Sequence, residues 1–145
     1  MEKEYQRKKL YKSEDNADVY LTPPLLNIAS AQNVINLWLK DKWLLKRYPF
    51  MKNKKILVKH SYSGKTWGSH DTISLGLSHY KLGILAHEFA HSVHKNKWPE
   101  EASHGWRFVN IYMLLSKHFI SKEFTEKLKY QCNKNKVKYY ESQRK

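Results

Sequence analysis

Residues 87–91 read His-Glu-Phe-Ala-His, an H-E-x-x-H pattern. On a helix, histidines four apart rise about 6 Å and turn about 40°, so both imidazoles can reach one metal ion. Glu88 stands next to them, where its carboxylate can take a proton from a water on that ion without being a ligand itself. A catalytic zinc needs a third protein ligand and keeps its fourth position for water. Four nearby residues could supply it: His94, Glu100, Glu101 and His104. His94 lies about 10 Å along the axis from His87, which strains a shared ion and marks it as a supporting or surface histidine. His104 follows the turn at Pro99 and precedes Phe108 by four residues, so the turn can fold it back over the motif. His104 is the third ligand we expect. Glu100 or Glu101 would make a glutamate-type site, but both sit in the turn with no helical stripe to aim them.

These residues need a frame. Leu82, Leu85, Ala86, Phe89, Ala90 and Val93 recur at helical spacing and stop before Pro99, which predicts an amphipathic helix with that stripe inward. Ser103 is read as the cap of a following helix with Phe108, Ile111, Tyr112, Leu115 and Phe119 inward, and Ser121 as the opening of a shorter one toward Leu128. Ser30 to about Tyr48 reads as a single helix capped by Ser30, stopped by Pro49 and packed through Ile35, Trp38, Leu39 and Leu45. Residues 54–60 and 72–78 are predicted strands, joined by a Gly-containing loop from Ser63 to His70. In the second, Ile73, Leu75 and Leu77 alternate with Ser74, Gly76 and Ser78. Its free edge is expected to form the cleft rim and pair with an extended peptide, with Gly76 allowing close backbone approach. Residues 1–20 are charged and aperiodic, so they are expected to be a mobile or loosely docked lead to a domain over 21–128. Residues 129–145 interleave Lys129, Lys134, Lys136, Lys138, Arg144 and Lys145 with Tyr130, Tyr139 and Tyr140, which reads as a basic tail.

The 145 residues are 41% hydrophobic and carry 27 Lys+Arg against 13 Asp+Glu, a formal charge of +14. One core is expected, with attraction to polyanions such as nucleic acid. Apolar runs fall short of the roughly 18 residues a bilayer demands, and the first ten residues are charged, so a monomer in the cytoplasm with no membrane partner is expected. Cys132 is the one cysteine, which excludes a disulfide framework or a four-cysteine metal site, and it reads as an inert thiol. The five tryptophans are expected mainly to pack. His60, His70, His79 and His118 are expected on the surface or in loops.

The segment His87-Glu-Phe-Ala-His91, a spacer, then His104-Gly105-Trp106-Arg107-Phe108 resembles the HExxH…HGxxF signature of SprT-like zinc metallopeptidases. The resemblance covers residues 30–120 in order of elements and is motif-level in 87–108. It implies a minimal zincin-like α+β domain, mostly helical, with a small antiparallel or mixed sheet beside the active-site helix. It also implies one catalytic Zn2+ held by His87, His91 and His104, Glu88 as general base, and Gly105 and Phe108 as supports of the third ligand. The substrate would be protein associated with DNA, in a nucleoid or, for a phage protein, a host cytoplasm. A metzincin would want Gly at 94 and His at 97, where this chain has His94 and Lys97. Many SprT-like proteins append a cysteine-rich zinc ribbon, and this chain has a basic tail instead. Tyr112, His79, Tyr80 and His94 are all candidates for the oxyanion stabiliser, and spacing places none of them. The alternative reading is a non-catalytic zincin scaffold that binds nucleic acid or a host complex through its basic surface.

Overall fold

The computed structural model describes residues 2–141. They form α1 (Arg7–Asn16), α2 (Ile28–Trp38), α3 (Lys42–Arg47), β1 (Leu57–His60), β2 (Trp67–Gly68), β3 (Thr72–Leu75), α4 (Leu82–Lys97), α5 (Trp106–Phe119) and α6 (Lys122–Lys134). This is the expected mostly helical α+β architecture, with a small mixed sheet. No helix of the described residues is long and apolar enough to cross a membrane.

The helix carrying the histidines lies at the centre. Leu85, Ala86, Phe89, Ala90 and Val93 are fully buried, as the stripe requires. The opposite face is buried too, because α5 packs along α4 on one side while β2 and β3 pack on the other. His87, Glu88 and His91 therefore lie inside the protein, where only chemistry or hydrogen bonding can offset their desolvation. Phe108, Ile111, Tyr112 and Leu115 of α5 are buried as predicted. Ser121 caps α6 by accepting from the Phe124 amide, although α6 runs on to Lys134. Ser103 is not the cap of α5, since Gly105 holds that position without a side-chain bond.

The expected helix from Ser30 to Tyr48 is two helices. Asn27 caps α2 through the Ser30 amide, and Asp41 caps α3 through the Leu44 amide at 2.9 Å, so the chain restarts at Asp41. Apolar spacing runs across the break because both helices face one core, and that continuity hid the second cap.

The sheet order is β1-β3-β2, with β1 parallel and β2 antiparallel to β3. The strand expected at the rim is thus central and has no free edge. It also ends early: Gly76 turns the chain, Leu77 to His79 form a 3₁₀ turn, and Leu77 is 82% exposed while Ser74 is buried. A Cβ at Gly76 would collide with the Gly64 carbonyl, so its close approach is to the chain itself. The outer edge of β1 is closed by Gln32, whose side-chain amide donates to the Ile56 carbonyl and accepts from the Val58 amide, both at 2.8 Å. That leaves β2 as the exposed edge beside α4.

The lead and tail are built into the fold. Leu10, Ser13 and Glu14 of α1 are buried, and α1 packs on α6. The Gln6 side chain both donates to and accepts from the Lys138 backbone at 2.9 Å, and Val137 and Tyr139 join the core. One hydrophobic cluster reaches from Leu10 to Tyr139, so the boundaries expected at 21 and 128 fall inside it. Within the expected tail, residues 142–145, including Arg144 and Lys145, lie outside the described residues.

Gly68 sets how closely β2 approaches the site, since a Cβ there would lie 2.5 Å from the Glu88 carbonyl oxygen. Gly68→Ala is expected to cost about 1–3 kcal/mol of unfolding free energy in urea titrations, because β2 must shift off α4. An unchanged stability would contradict this packing.

Candidate metal centre

Two elements present the three histidines. α4 aims His87 and His91 to one side, and the turn after Trp98 returns the chain so that His104 faces them from the threshold of α5. One donor atom from each of the three lies within 4.8 Å of the others, and all three residues are buried. The Nε2 atoms of His91 and His104 are 3.1 Å apart. Nitrogens 2.0–2.1 Å from a shared tetrahedral centre sit about 3.3 Å from one another; the His91–His104 pair has that spacing, and the His87 donor lies within 4.8 Å of both, so the three could hold a metal ion.

Each ring is oriented by a neighbour. His87 Nδ1–H donates to Glu14 Oε2 at 2.8 Å, and the Tyr112 hydroxyl donates to the same oxygen at 2.8 Å. His104 donates to Glu4 Oε2 through Nδ1 at 3.0 Å and through its backbone amide at 2.9 Å. A carboxylate on Nδ1 fixes the tautomer that leaves Nε2 to a metal. His91 is held differently: its ring stacks on Phe108 at 4.1 Å, and its Nδ1 is buried without a hydrogen-bond partner. Phe108 also meets the His87 and His104 rings edge-on, both at 5.2 Å, so it contacts all three. Gly105 is less constrained, since a Cβ there would meet its nearest neighbours at an ordinary 3.4 Å.

Glu88 is buried, and its Oε2 lies 4.0 Å from His87 Nε2. Among the described residues it makes no hydrogen bond. Burial pushes its carboxyl up to about 7, with Glu14 adding to the rise and His87 and Lys95 opposing it. Burial pulls His87 down, yet Glu14 and Glu88 outweigh it and carry the imidazole up to about 9. Burial lowers His104 to about 4, helped by the charge of His87 and resisted by Glu4.

The remaining candidates are occupied elsewhere. His94 is buried and donates to Glu101 Oε1 at 2.9 Å, while Arg107 Nε donates to both oxygens of Glu101. His94 is thus neither a surface residue nor a ligand, and Glu101 is drawn away from the centre. Glu100 is outside the donor group as well. Tyr112 is committed to Glu14, and the Tyr80 hydroxyl meets His60 Nδ1 at 2.7 Å. Of the four oxyanion candidates only His79 lines the cavity of about 300 Å³ that opens beside His87 and Glu88, held by Thr66 Oγ1 and the Tyr20 hydroxyl. His118 pairs with Asp41 at 3.0 Å, and His70 is exposed. Cys132 is fully buried, and burial drives its thiol to about 12, which fits an inert role.

Glu4, Tyr11 and Glu14 escaped the reading of the sequence. Tyr11 lies 5.9 Å from the His87 ring and 5.5 Å from His104. Tyr11 and Glu14 lie on α1 and Glu4 just before it; the apolar spacing there is only Leu10 and Ala17 at i and i+7, with Glu14 between them where an apolar residue would mark the stripe.

Compared with known proteins, the chain matches no family model, no curated protein and no solved structure.

An imidazole raised by its surroundings adds stability that is complete below its ordinary pKa of 6.5 and is lost as pH climbs through about 9. Chelator-treated protein is therefore expected to lose about 1–3 kcal/mol of unfolding free energy across that window. Glu14→Gln should flatten the decline. A wild-type profile without it would contradict the buried pair.

Proposed function

We propose that the protein is a zinc-dependent peptidase, SprT-like in its ligand set, acting on protein associated with nucleic acid. The observation that carries this reading is the convergence of His87, His91 and His104 with a buried carboxylate, Glu88, beside them at an open cavity. His87, His91 and His104 would hold the ion, which when bound supplies Lewis acidity toward a water and a peptide carbonyl. Glu88 would hold the transferred proton at its Oε2 and return it to the leaving amine. A carboxyl near 7 suits both halves of that exchange at neutral pH. Glu14 and Glu4 keep the His87 and His104 rings turned, so the chain need not reorganise when the ion enters.

The peptide would lie along Thr66 and Trp67, where β2 is the edge strand and Thr66 borders the cavity. Attraction to nucleic acid is supported by the charge of +14 and by a groove holding Lys46, Arg47, Lys97 and Arg107 beside Trp43 and Trp106. Cations neutralise phosphates there, and aromatic rings offer stacking surfaces to bases.

Purified protein is expected to carry one zinc per chain by elemental analysis, and His104→Ala to lose it. Glu88→Gln should keep the zinc and reduce cleavage of a DNA-bound protein by about 10²–10⁴-fold. Folded protein that takes up no zinc would overturn the reading. Zinc-loaded protein with full biological activity in Glu88→Gln would instead favour a non-catalytic scaffold.

A further inference from the structure

The cavity beside Glu88 differs in charge from the rest of the molecule. Tyr11, Glu14, Asp15, Tyr20, His79 and Glu88 are among its walls, and no lysine or arginine lines it. That is unusual in a chain with 27 basic and 13 acidic residues. A divalent ion on the three histidines would be balanced by Glu14 and Glu88, which stand against His87. Asp15 then remains as the uncompensated charge in the wall. It is exposed and makes no ion pair among the described residues. Glu88 is buried, has no hydrogen-bond partner among the described residues, and faces the same space.

Burial raises Tyr11 to about 12, and Glu88 and Glu14 add to the shift while Arg7 opposes it. Burial also raises Tyr20, with Asp15 and Glu14 adding to it. Of the cations that act on Tyr11 and Glu88, Lys95 donates to the Gly68 carbonyl, and neither it nor Arg7 is part of the wall. Surface lysines farther away are screened over about 8 Å at physiological ionic strength, so the local carboxylates govern what enters. The remaining walls suit a long cationic side chain. Val19 and Ile84 are apolar, and the Tyr11 and Tyr20 rings can cover an aliphatic stem and face a cation.

We propose that this cavity receives a lysine or arginine side chain of the substrate, with Asp15 as its charge partner and Tyr11 and Tyr20 as its walls. The assignment rests on the peptidase reading and narrows its substrates to proteins with a basic residue next to the cleaved bond. Such residues abound in proteins that bind nucleic acid, which joins this pocket to the cationic groove.

The test uses zinc-loaded full-length protein and four labelled peptides that differ at one central residue: Arg, Lys, Gln or Glu. Cleavage is followed by mass spectrometry and binding by fluorescence anisotropy. The Arg and Lys peptides are expected to be cut beside the varied residue, with kcat/KM about tenfold above the Glu peptide. Asp15→Asn should remove most of that advantage and Asp15→Lys should abolish or reverse it, with zinc content unchanged in both. Equal cleavage of the four peptides, or a preference untouched by Asp15→Lys, would overturn the pocket while leaving the peptidase intact. If no peptide is cut, the peptidase reading fails and binding decides the pocket. Tighter binding of the Arg than the Glu peptide, lost in Asp15→Lys, sustains it, and equal binding overturns it.

Discussion

A single buried carboxylate holds this structure together at its functional end. Glu14 comes from α1, takes a proton donor from His87 on α4 and another from Tyr112 on α5, and so ties three helices to one oxygen. Both donors are buried with it, and removing one partner of such a group exposes an uncompensated charge at a cost of about 3–5 kcal/mol. The geometry of the histidines follows from it. With Nδ1 of His87 engaged, Nε2 has to face the space shared with His91 and His104, and Glu4 imposes the same choice on His104.

The arrangement resolves a conflict within α4. A helix packed on a sheet and on another helix has no solvent-facing side on which to place polar residues, yet this one carries His87, Glu88 and His91. Of these, His87 is compensated from outside the helix by Glu14, while His91 Nδ1 and, among the described residues, the Glu88 carboxylate have no hydrogen-bond partner. Glu14 on His87 and Glu4 on His104 arrive from the first sixteen residues, and Phe108 stacks on the His91 ring and meets the other two edge-on. Gly68 lets β2 sit directly on the Glu88 backbone, so the Glu88 carboxylate is attached to a closely packed segment. The N-terminal residues are therefore part of the centre. They strap the turn that bears His104 through Glu2 on the Ala102 amide, Glu4 on His104, and the Tyr5 hydroxyl on the Trp106 amide.

Charge is segregated on the same plan. Basic residues outnumber acidic ones and several line the groove between α3 and the start of α5, while Glu14, Asp15 and Glu88 line the cavity beside His87. Salt screens both distributions over about 8 Å at physiological ionic strength, so each acts mainly on what approaches its own part of the surface.

By itself the sequence determined the elements whose periodicity is unbroken: the stripe of α4 from Leu85 to Val93, the inward face of α5 from Phe108 to Leu115, and the Ser121 cap of α6. It also picked out His87, His91 and His104, because i, i+4 spacing and a return after Pro99 are local geometry. Tertiary structure alone decided the rest. The central place of β3 depends on which strand pairs with which, and alternation within one strand carries no information about its neighbours. The break at Asp41 was masked by two helices facing one core. Glu4 and Glu14 could not be seen as partners of the histidines, because a hydrogen bond across 73 or 100 residues leaves no periodic trace in either segment. Local spacing encodes which face of a helix is apolar; only packing decides what buried polar groups will meet there.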